Sequence, residues 1–271
     1  MRYLTVLCIL ICFTACSSVR IFYLKVPEVA SPRLFGTIFF KTVSSWKWKE
    51  RDSLAVHEIL AGNIPSFLQK FVPVHSEITD SMGVVHHAVF YVSPDYLSIG
   101  SDADWARIPL TPLAAQKIAD RFDCFLPTRK MVDLIYNKAV VKLEPIPMYC
   151  FRDSSVTMWQ HHLMIEGQRK GRKGLIAGIK KDVVISAKIA HNAKPDREAI
   201  YGWHQLNGKP IQPLYTGHIN WWVDYSHGIR LISRKIKVDG KEMDYIDVLK
   251  HPTYRKLICD EDECDFFRYS Y

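Results

Sequence analysis

Apolar and polar positions alternate with two different periods along this chain, and the switch between them outlines the fold. In the first half the spacing is mostly helical. A helix is predicted from Asp52, a side chain suited to N-capping, to Ala61, with Gly62 as its stop. Thr111-Pro112 has the pairing of capping hydroxyl and first-turn proline that opens a helix, here running to Phe122. A further helix is predicted from Pro127 to Ala139, where Met131, Leu134, Ile135 and Lys138 are spaced for one buried and one wet face. A fourth, broken helix is predicted over Ser154–Arg169. Between the first two helices, Val72–Thr79 and Val84–Val92 read as a β-hairpin around the turn at Asp80–Gly83. From Leu175 the period becomes that of strands, predicted at Leu175–Ala187, Ala199–Trp203, Ile219–Tyr225 and Ile229–Val238, with Asp239-Gly240 as a tight turn. Tyr245–Lys250 reads as a last helical turn before Pro252. The order predicts an α+β fold with a mostly antiparallel sheet and several helices in the first half.

One apolar run belongs to neither pattern. Met1-Arg2-Tyr3 is followed by Leu4–Phe13, interrupted only by Thr5, which is too short to cross the roughly 30 Å of hydrocarbon that takes ~20 residues. It reads as the core of a signal peptide over residues 1–15. It ends in Phe13-Thr14-Ala15-Cys16, which resembles the lipobox of bacterial lipoproteins: a leucine, a small residue, Gly or Ala, then Cys. Phe13 stands where that family has leucine. The resemblance implies cleavage before Cys16 and diacylglycerol plus an acyl (palmitate) chain on it, a multi-chain anchor that holds to a membrane. Ser17 and Ser18 supply no inner-membrane retention aspartate, so the outer membrane of the cell envelope is the implied destination. Residues 16–50, with Pro27 and Pro32, are expected to be the lipidated N-terminus and tether, and 51–271 a single globular domain.

Composition sharpens this picture only a little. The 271 residues are 48% hydrophobic, enough for a globular core, and 36 basic against 28 acidic residues give a formal net charge of +8. At an envelope surface that balance suits anionic polymers or lipid head groups, and nucleic acid is not an expected partner. An exported chain can form disulfides, and Cys259 and Cys264 bracket the acidic loop Asp260–Glu263 in a way that would close a small ring.

Candidate chemistry concentrates between Tyr201 and Arg230, where Trp203, His204, His218, Trp221, Trp222, Asp224, Ser226, His227 and Arg230 lie among glycines and prolines. Within it, Ser226-His227-Gly228-Ile229-Arg230 resembles the Ser-His-Gly-Cys-x-Arg motif of L,D-transpeptidases. Ile229 follows Gly228 where that family has its nucleophilic cysteine, so the resemblance implies at most a related pocket for envelope peptide. Asp123-Cys124 resembles the start of the Asp-Cys-Ser-Gly motif of NlpC/P60 peptidases, with Phe125 and Leu126 departing from it. That likeness implies Cys124 as nucleophile at a helix start, with His204, His218 or His227 as base and Asp224 as orienter. Arg230 is the expected anion contact, and Trp203, Trp221 and Trp222 the surfaces on which sugar rings would stack. His204, His218, His227 and Asp224 supply enough ligands for zinc, but no His-x-x-x-His or Cys-x-x-Cys spacing appears, so no metal and no cofactor is expected and metal-assisted hydrolysis is the minor alternative. The adjacent pairs His86-His87 and His161-His162 diverge on either a strand or a helix and cannot chelate as pairs. Lys180-Lys181-Asp182 reads as a charged lead into the apolar strand Val183–Ile185, with a surface ion pair as the equal alternative. Together the residues and the compartment point to a hydrolase of peptidoglycan or a related amide or glycan polymer, or to a non-catalytic glycan-binding lipoprotein.

Overall fold

The computed structural model describes residues 22–29 and 33–271; the expected signal peptide and Cys16 lie outside them. Along the chain run β1 (Phe22–Tyr23), α1 (Gly36–Thr42), α2 (Trp48–Leu60), β2 (Lys70–Thr79), β3 (Val85–Val92), β4 (Ser98–Gly100), β5 (Trp105–Arg107), α3 (Pro112–Arg121), β6 (Cys124–Phe125) and α4 (Arg129–Lys138). After these come β7 (Val141–Lys142), α5 (Ser155–Arg169), β8 (Ile176–Ala177), β9 (Lys181–Val184), α6 (Ala187–Ala190), β10 (Ala199–His204) and β11 (Pro210–Tyr215). The chain ends with β12 (His227–Gly228), β13 (Ile232–Ser233), β14 (Lys235–Val238), β15 (Lys241–Asp244), α7 (Tyr245–Lys250) and α8 (Arg255–Ile258). The fold is α+β, with mostly antiparallel sheets.

The main sheet has the order β1-β2-β3-β13-β6, with β14 pairing both β3 and β15. Its centre is the predicted hairpin, in register from Val72 opposite Val92 to Thr79 opposite Val85. Ala88, Phe90 and Val92 of β3 point inward at period two, and burying Phe90 alone contributes about 2–3 kcal/mol. Helices α4 and α8 pack on β2, and α3 lies against β6. The caps explain why these helices start where they do. The Thr111 hydroxyl accepts from the Ala114 N–H, that of Thr128 from Met131, and that of Ser154 from Thr157. Cys259 and Cys264 are joined as a disulfide.

Several expectations are corrected. Asp52 does not cap a helix: α2 begins at Trp48, and the buried Asp52 carboxylate instead accepts from the Thr111 N–H at 3.0 Å and hydroxyl at 2.7 Å. The stretch expected as tether is built into the fold from residue 22, because β1 pairs with β2 and Phe39, Phe40 and Val43 are buried in the core. The strand expected over Leu175–Ala187 divides into β8 and β9, with the positive φ of Gly178 between them and Ala187 starting α6. The expected strand at Ile219–Tyr225 is a series of turns in which only Ile219 makes a bridge, to Arg197.

The second sheet has the order β11-β10-β9-β12 and includes the candidate residue His227. Its β12 runs parallel to β9, with His227 beside Lys181 and Gly228 beside Asp182. No helix among the described residues is long and apolar enough to cross a membrane.

Candidate functional site

The turn leading into β12 is shaped by its own side chains. The Asp224 Oδ1 accepts from the Ser226 N–H at 2.8 Å and from the Ser226 hydroxyl at 2.5 Å, an Asx-type turn that places His227 directly behind it. Gly228 is required by space: a Cβ there would lie 2.6 Å from Lys180 Cβ and from the Tyr96 ring. The neighbouring loop is tied down where the Glu198 N–H donates to the His218 carbonyl at 3.1 Å.

These constraints bring two carboxylates and two imidazoles together. The His227 Nε2 lies 2.8 Å from Glu198 Oε1, and its Nδ1 lies 3.1 Å from Asp224 Oδ1. The His218 Nδ1 lies 3.2 Å from the same Glu198 oxygen. Glu198, Asp224, Ser226 and His227 are fully buried, and the His218 side chain is 28% exposed, so it forms the outer edge of the group. Burial works against a charged His227, but the Glu198 charge and the Asp224 hydrogen bond outweigh it and raise its pKa to about 9. Burial likewise works against ionisation of Asp224 and Glu198. The His227 hydrogen bond and charge hold the Asp224 carboxyl well below its ordinary range, and the His227 charge lowers that of Glu198.

Asp224 also joins this group to a cavity. Its Oδ2 accepts from the Arg152 Nη2 at 2.6 Å, and Arg152 lines a space of about 270 Å³ together with Met148, Lys181, Trp203, Gln212 and Tyr225. The Lys181 ammonium lies 5.2 Å from the centre of the Trp203 ring, and its pKa is lowered by burial. Trp203 has φ +58°, a left-handed conformation that a bulky residue adopts only under constraint; it follows Gly202 at φ +103°, where the β10–β11 register shifts. A second cavity of about 340 Å³, bordered by Lys188, Lys194, Arg197, Tyr215 and Gly217, adjoins the other end, where the Tyr215 ring lies 5.1 Å from His218.

Beneath the site is a buried ionic layer. The Lys180 Nζ lies 3.1 Å from His161 Nδ1 and donates to the Tyr225 carbonyl; burial, reinforced by Arg107, lowers its pKa to about 7. The Tyr96 hydroxyl donates to Asp182 at 2.8 Å, and burial raises the Asp182 pKa to about 6 against the pull of Arg230. The expectation of a charged lead on a strand edge is therefore corrected, since all of Lys180, Lys181 and Asp182 are buried.

Of the expected site residues, the structure brings His218, Asp224, Ser226 and His227 together and sets others apart. Cys124 lies on β6 in the main sheet, its thiol donating to the Phe122 carbonyl at 3.3 Å, and burial pushes its pKa far above that of an ordinary thiol. It starts no helix, since α4 opens at Thr128, so the electrostatic aid to a thiolate is missing. The His204 Nε2 pairs with Asp133 at 2.9 Å and its ring stacks on Tyr136. Arg230 is buried, donating to the carbonyls of Ser93 and Ile176 at 2.9 and 2.8 Å, and does not reach a ligand from solvent. The Ser226 hydroxyl is spent on Asp224. Trp203 is buried at the cavity wall, whereas Trp221 and Trp222 are 44% and 37% exposed. Glu198, Arg152 and Tyr225 complete the site without having been singled out by sequence, and Lys181 joins it from the stretch read as a charged lead. A lone glutamate before an apolar strand was the signal available for Glu198.

Compared with protein-family models, with curated proteins and with solved structures, the chain matches none.

Proposed function

We propose that this protein is an exported, lipid-anchored hydrolase that acts at the envelope on peptidoglycan or a related anionic amide or glycan polymer. The observation that supports it best is the Glu198–His218–His227–Asp224 group set between two cation-lined cavities. Arg152 and Lys181 on one side, and Lys188, Lys194 and Arg197 on the other, suit a substrate carrying carboxylates or phosphates. The carboxylate-held imidazole of His218, at the outer edge, is the group suited to handling a water proton beside the bound polymer. Neither Cys124 nor Ser226 is an available nucleophile, so direct attack by water is the chemistry proposed, without a covalent intermediate.

The test is digestion of purified peptidoglycan and a panel of anionic glycans by the full chain in detergent. His218→Ala is expected to lower the rate at least 100-fold and Cys124→Ala to leave it unchanged. No product from any polymer, or full activity in His218→Ala, refutes the hydrolase. A second reading, glycan binding without catalysis, is favoured by the exposure of the adjacent Trp221 and Trp222. It predicts retention on insoluble glycan that Trp221→Ala/Trp222→Ala abolishes, with no product released.

A further inference from the structure

Glu198, His218 and His227 come from the approach to β10, the loop after β11, and β12, and their donor atoms converge on one point. We propose that these three residues bind a single divalent cation of zinc type, with Asp224 orienting His227 from behind.

The donor set comes first. Two imidazole nitrogens and one carboxylate oxygen are the mixed ligands that zinc takes where a fourth position stays open for water. One donor atom from each residue lies within 4.8 Å of the other two. Ligands about 2.0–2.1 Å from a tetrahedral zinc stand roughly 3.3 Å apart. The Glu198 Oε1 is 2.8 Å from His227 Nε2 and 3.2 Å from His218 Nδ1, both near that spacing, and the two imidazole donors lie within 4.8 Å of each other.

A second observation points to a ligand independently. Glu198 is fully buried, yet its Oε2 has no hydrogen-bond partner among the described residues. A buried carboxylate oxygen with no donor is costly, and a cation beside the same carboxylate removes that cost. The surroundings agree. His227 presents Nε2 to the convergence point while Nδ1 faces Asp224 at 3.1 Å, the carboxylate–histidine–metal relay that fixes an imidazole for ligation. Asp224 is itself held by Ser226 and Arg152. Two buried carboxylates flank one imidazole here, and a dication beside it balances their charge.

A second convergence of such groups among the described residues, His191 with Glu263 and Asp265, is exposed on all three members. It serves as the control. The inference deepens the hydrolase reading and changes the part of His218 in it: as a ligand it holds the cation instead of the water proton, and cation-bound water becomes acidic enough to attack near neutral pH, but binding itself rests on the geometry alone.

The test uses the full chain in detergent, stripped with a chelator and titrated calorimetrically with Zn²⁺, beside cobalt substitution read by visible absorption. One Zn²⁺ per chain, released protons, a raised Tm and a tetrahedral cobalt spectrum are expected. His218→Ala, at the partly exposed ligand, should weaken binding at least 100-fold and abolish the cobalt bands with circular dichroism unchanged. Asp224→Asn should weaken it about 10- to 100-fold, and His191→Ala should bind like the parent. No stoichiometric binding, or His218→Ala and Glu198→Gln both binding like the parent, overturns the proposal. Polymer digestion that persists in a zinc-free, chelator-treated sample overturns the cation while leaving the hydrolase standing. Stoichiometric zinc with no digestion of any polymer does the reverse.

Discussion

Lys180→Met probes the ionic layer under the site, and its effect has a sign that pH reveals. The Lys180 ammonium is buried against His161 of α5 and the Tyr225 carbonyl, with Arg107 of β5 adding repulsion and Asp224 and Asp95 adding attraction. His161 is neutral and adds no second positive charge, because burial and then Lys180 itself lower its pKa to about 2. The Lys180 pKa falls from 10.5 to about 7 on folding. Below pH 7 the lysine is charged in both states, and folding bears the whole cost of burying it. As pH rises from 7 towards 10.5 the folded state loses the proton while the unfolded state keeps it, so this group's contribution to stability grows by up to about 1.4 kcal/mol per pH unit. Allowing for partial ionisation at pH 7, wild type should gain about 2 kcal/mol from this group between pH 7 and pH 9. Methionine has nothing to titrate and forfeits the hydrogen bonds to Tyr225 and His161, worth about 1 kcal/mol each. Urea unfolding followed by tryptophan fluorescence at pH 7, 8 and 9, at fixed ionic strength, measures the difference. Lys180→Met should match or exceed wild-type stability at pH 7 and fall behind by about 2 kcal/mol, relative to that starting point, at pH 9. Groups common to both proteins, such as His227, cancel in the difference. If that difference is flat across the range, Lys180 is not the desolvated charge described above.

Two other substitutions test the supports of the site. Gly228→Ala forces a methyl to within 2.6 Å of Lys180 Cβ and the Tyr96 ring, and should cost about 1–3 kcal/mol, visible by scanning calorimetry as a lowered Tm. Asp95→Asn removes the carboxylate that Arg107 grips through Nε at 2.8 Å and Nη2 at 2.6 Å, leaving a buried guanidinium with only the partly exposed Glu166 as countercharge. A loss of about 3–5 kcal/mol in urea unfolding at pH 7 is expected. Burial opposes ionisation of Asp95, but Arg107 more than offsets it and holds its pKa below the usual carboxylate value, so the stability it confers is present at neutral pH and lost as pH falls below about 4. The gap between wild type and Asp95→Asn should therefore shrink in acid, and a gap that persists unchanged at pH 2 would count against the pairing.

Local signals made the helical half legible. A capping hydroxyl with a following proline located α3 and an apolar period located α4, because both signals lie within the segment itself. Alternation located the β2–β3 hairpin for the same reason. Where a residue's partner is distant, the same grammar misled. Asp52 has the chemistry of a cap, but its partner is Thr111, so the helix runs on past it towards the N-terminus. The Val223-Asp224-Tyr225 segment alternates like a strand, yet Asp224 turns inward to bind Ser226, His227 and Arg152, and the chain bends around it.

The site shows the same division more sharply. The histidine and tryptophan cluster was visible because it is dense in sequence, but its organising residue is not. Glu198 lies 20 positions from His218 and 29 from His227, and no local spacing marks it as their shared partner. Lys180-Lys181-Asp182 reads as surface because charges average to surface, and only the fold supplies the His161, Tyr96 and Arg230 contacts that allow their burial. Several departures from pattern gather in one place. The left-handed Trp203, the buried lysines, the unpartnered Glu198 oxygen and the crowded Gly228 all sit on or beside β9, β10 and β12. A stable fold has no need of strain, buried charge and an orphaned acceptor in one place, whereas a site that holds a cation beside an anionic polymer needs fixed donors, excluded water and cations at its rim. That coincidence is the physical reason for locating function in the smaller sheet rather than in the larger and better-packed one that carries Cys124.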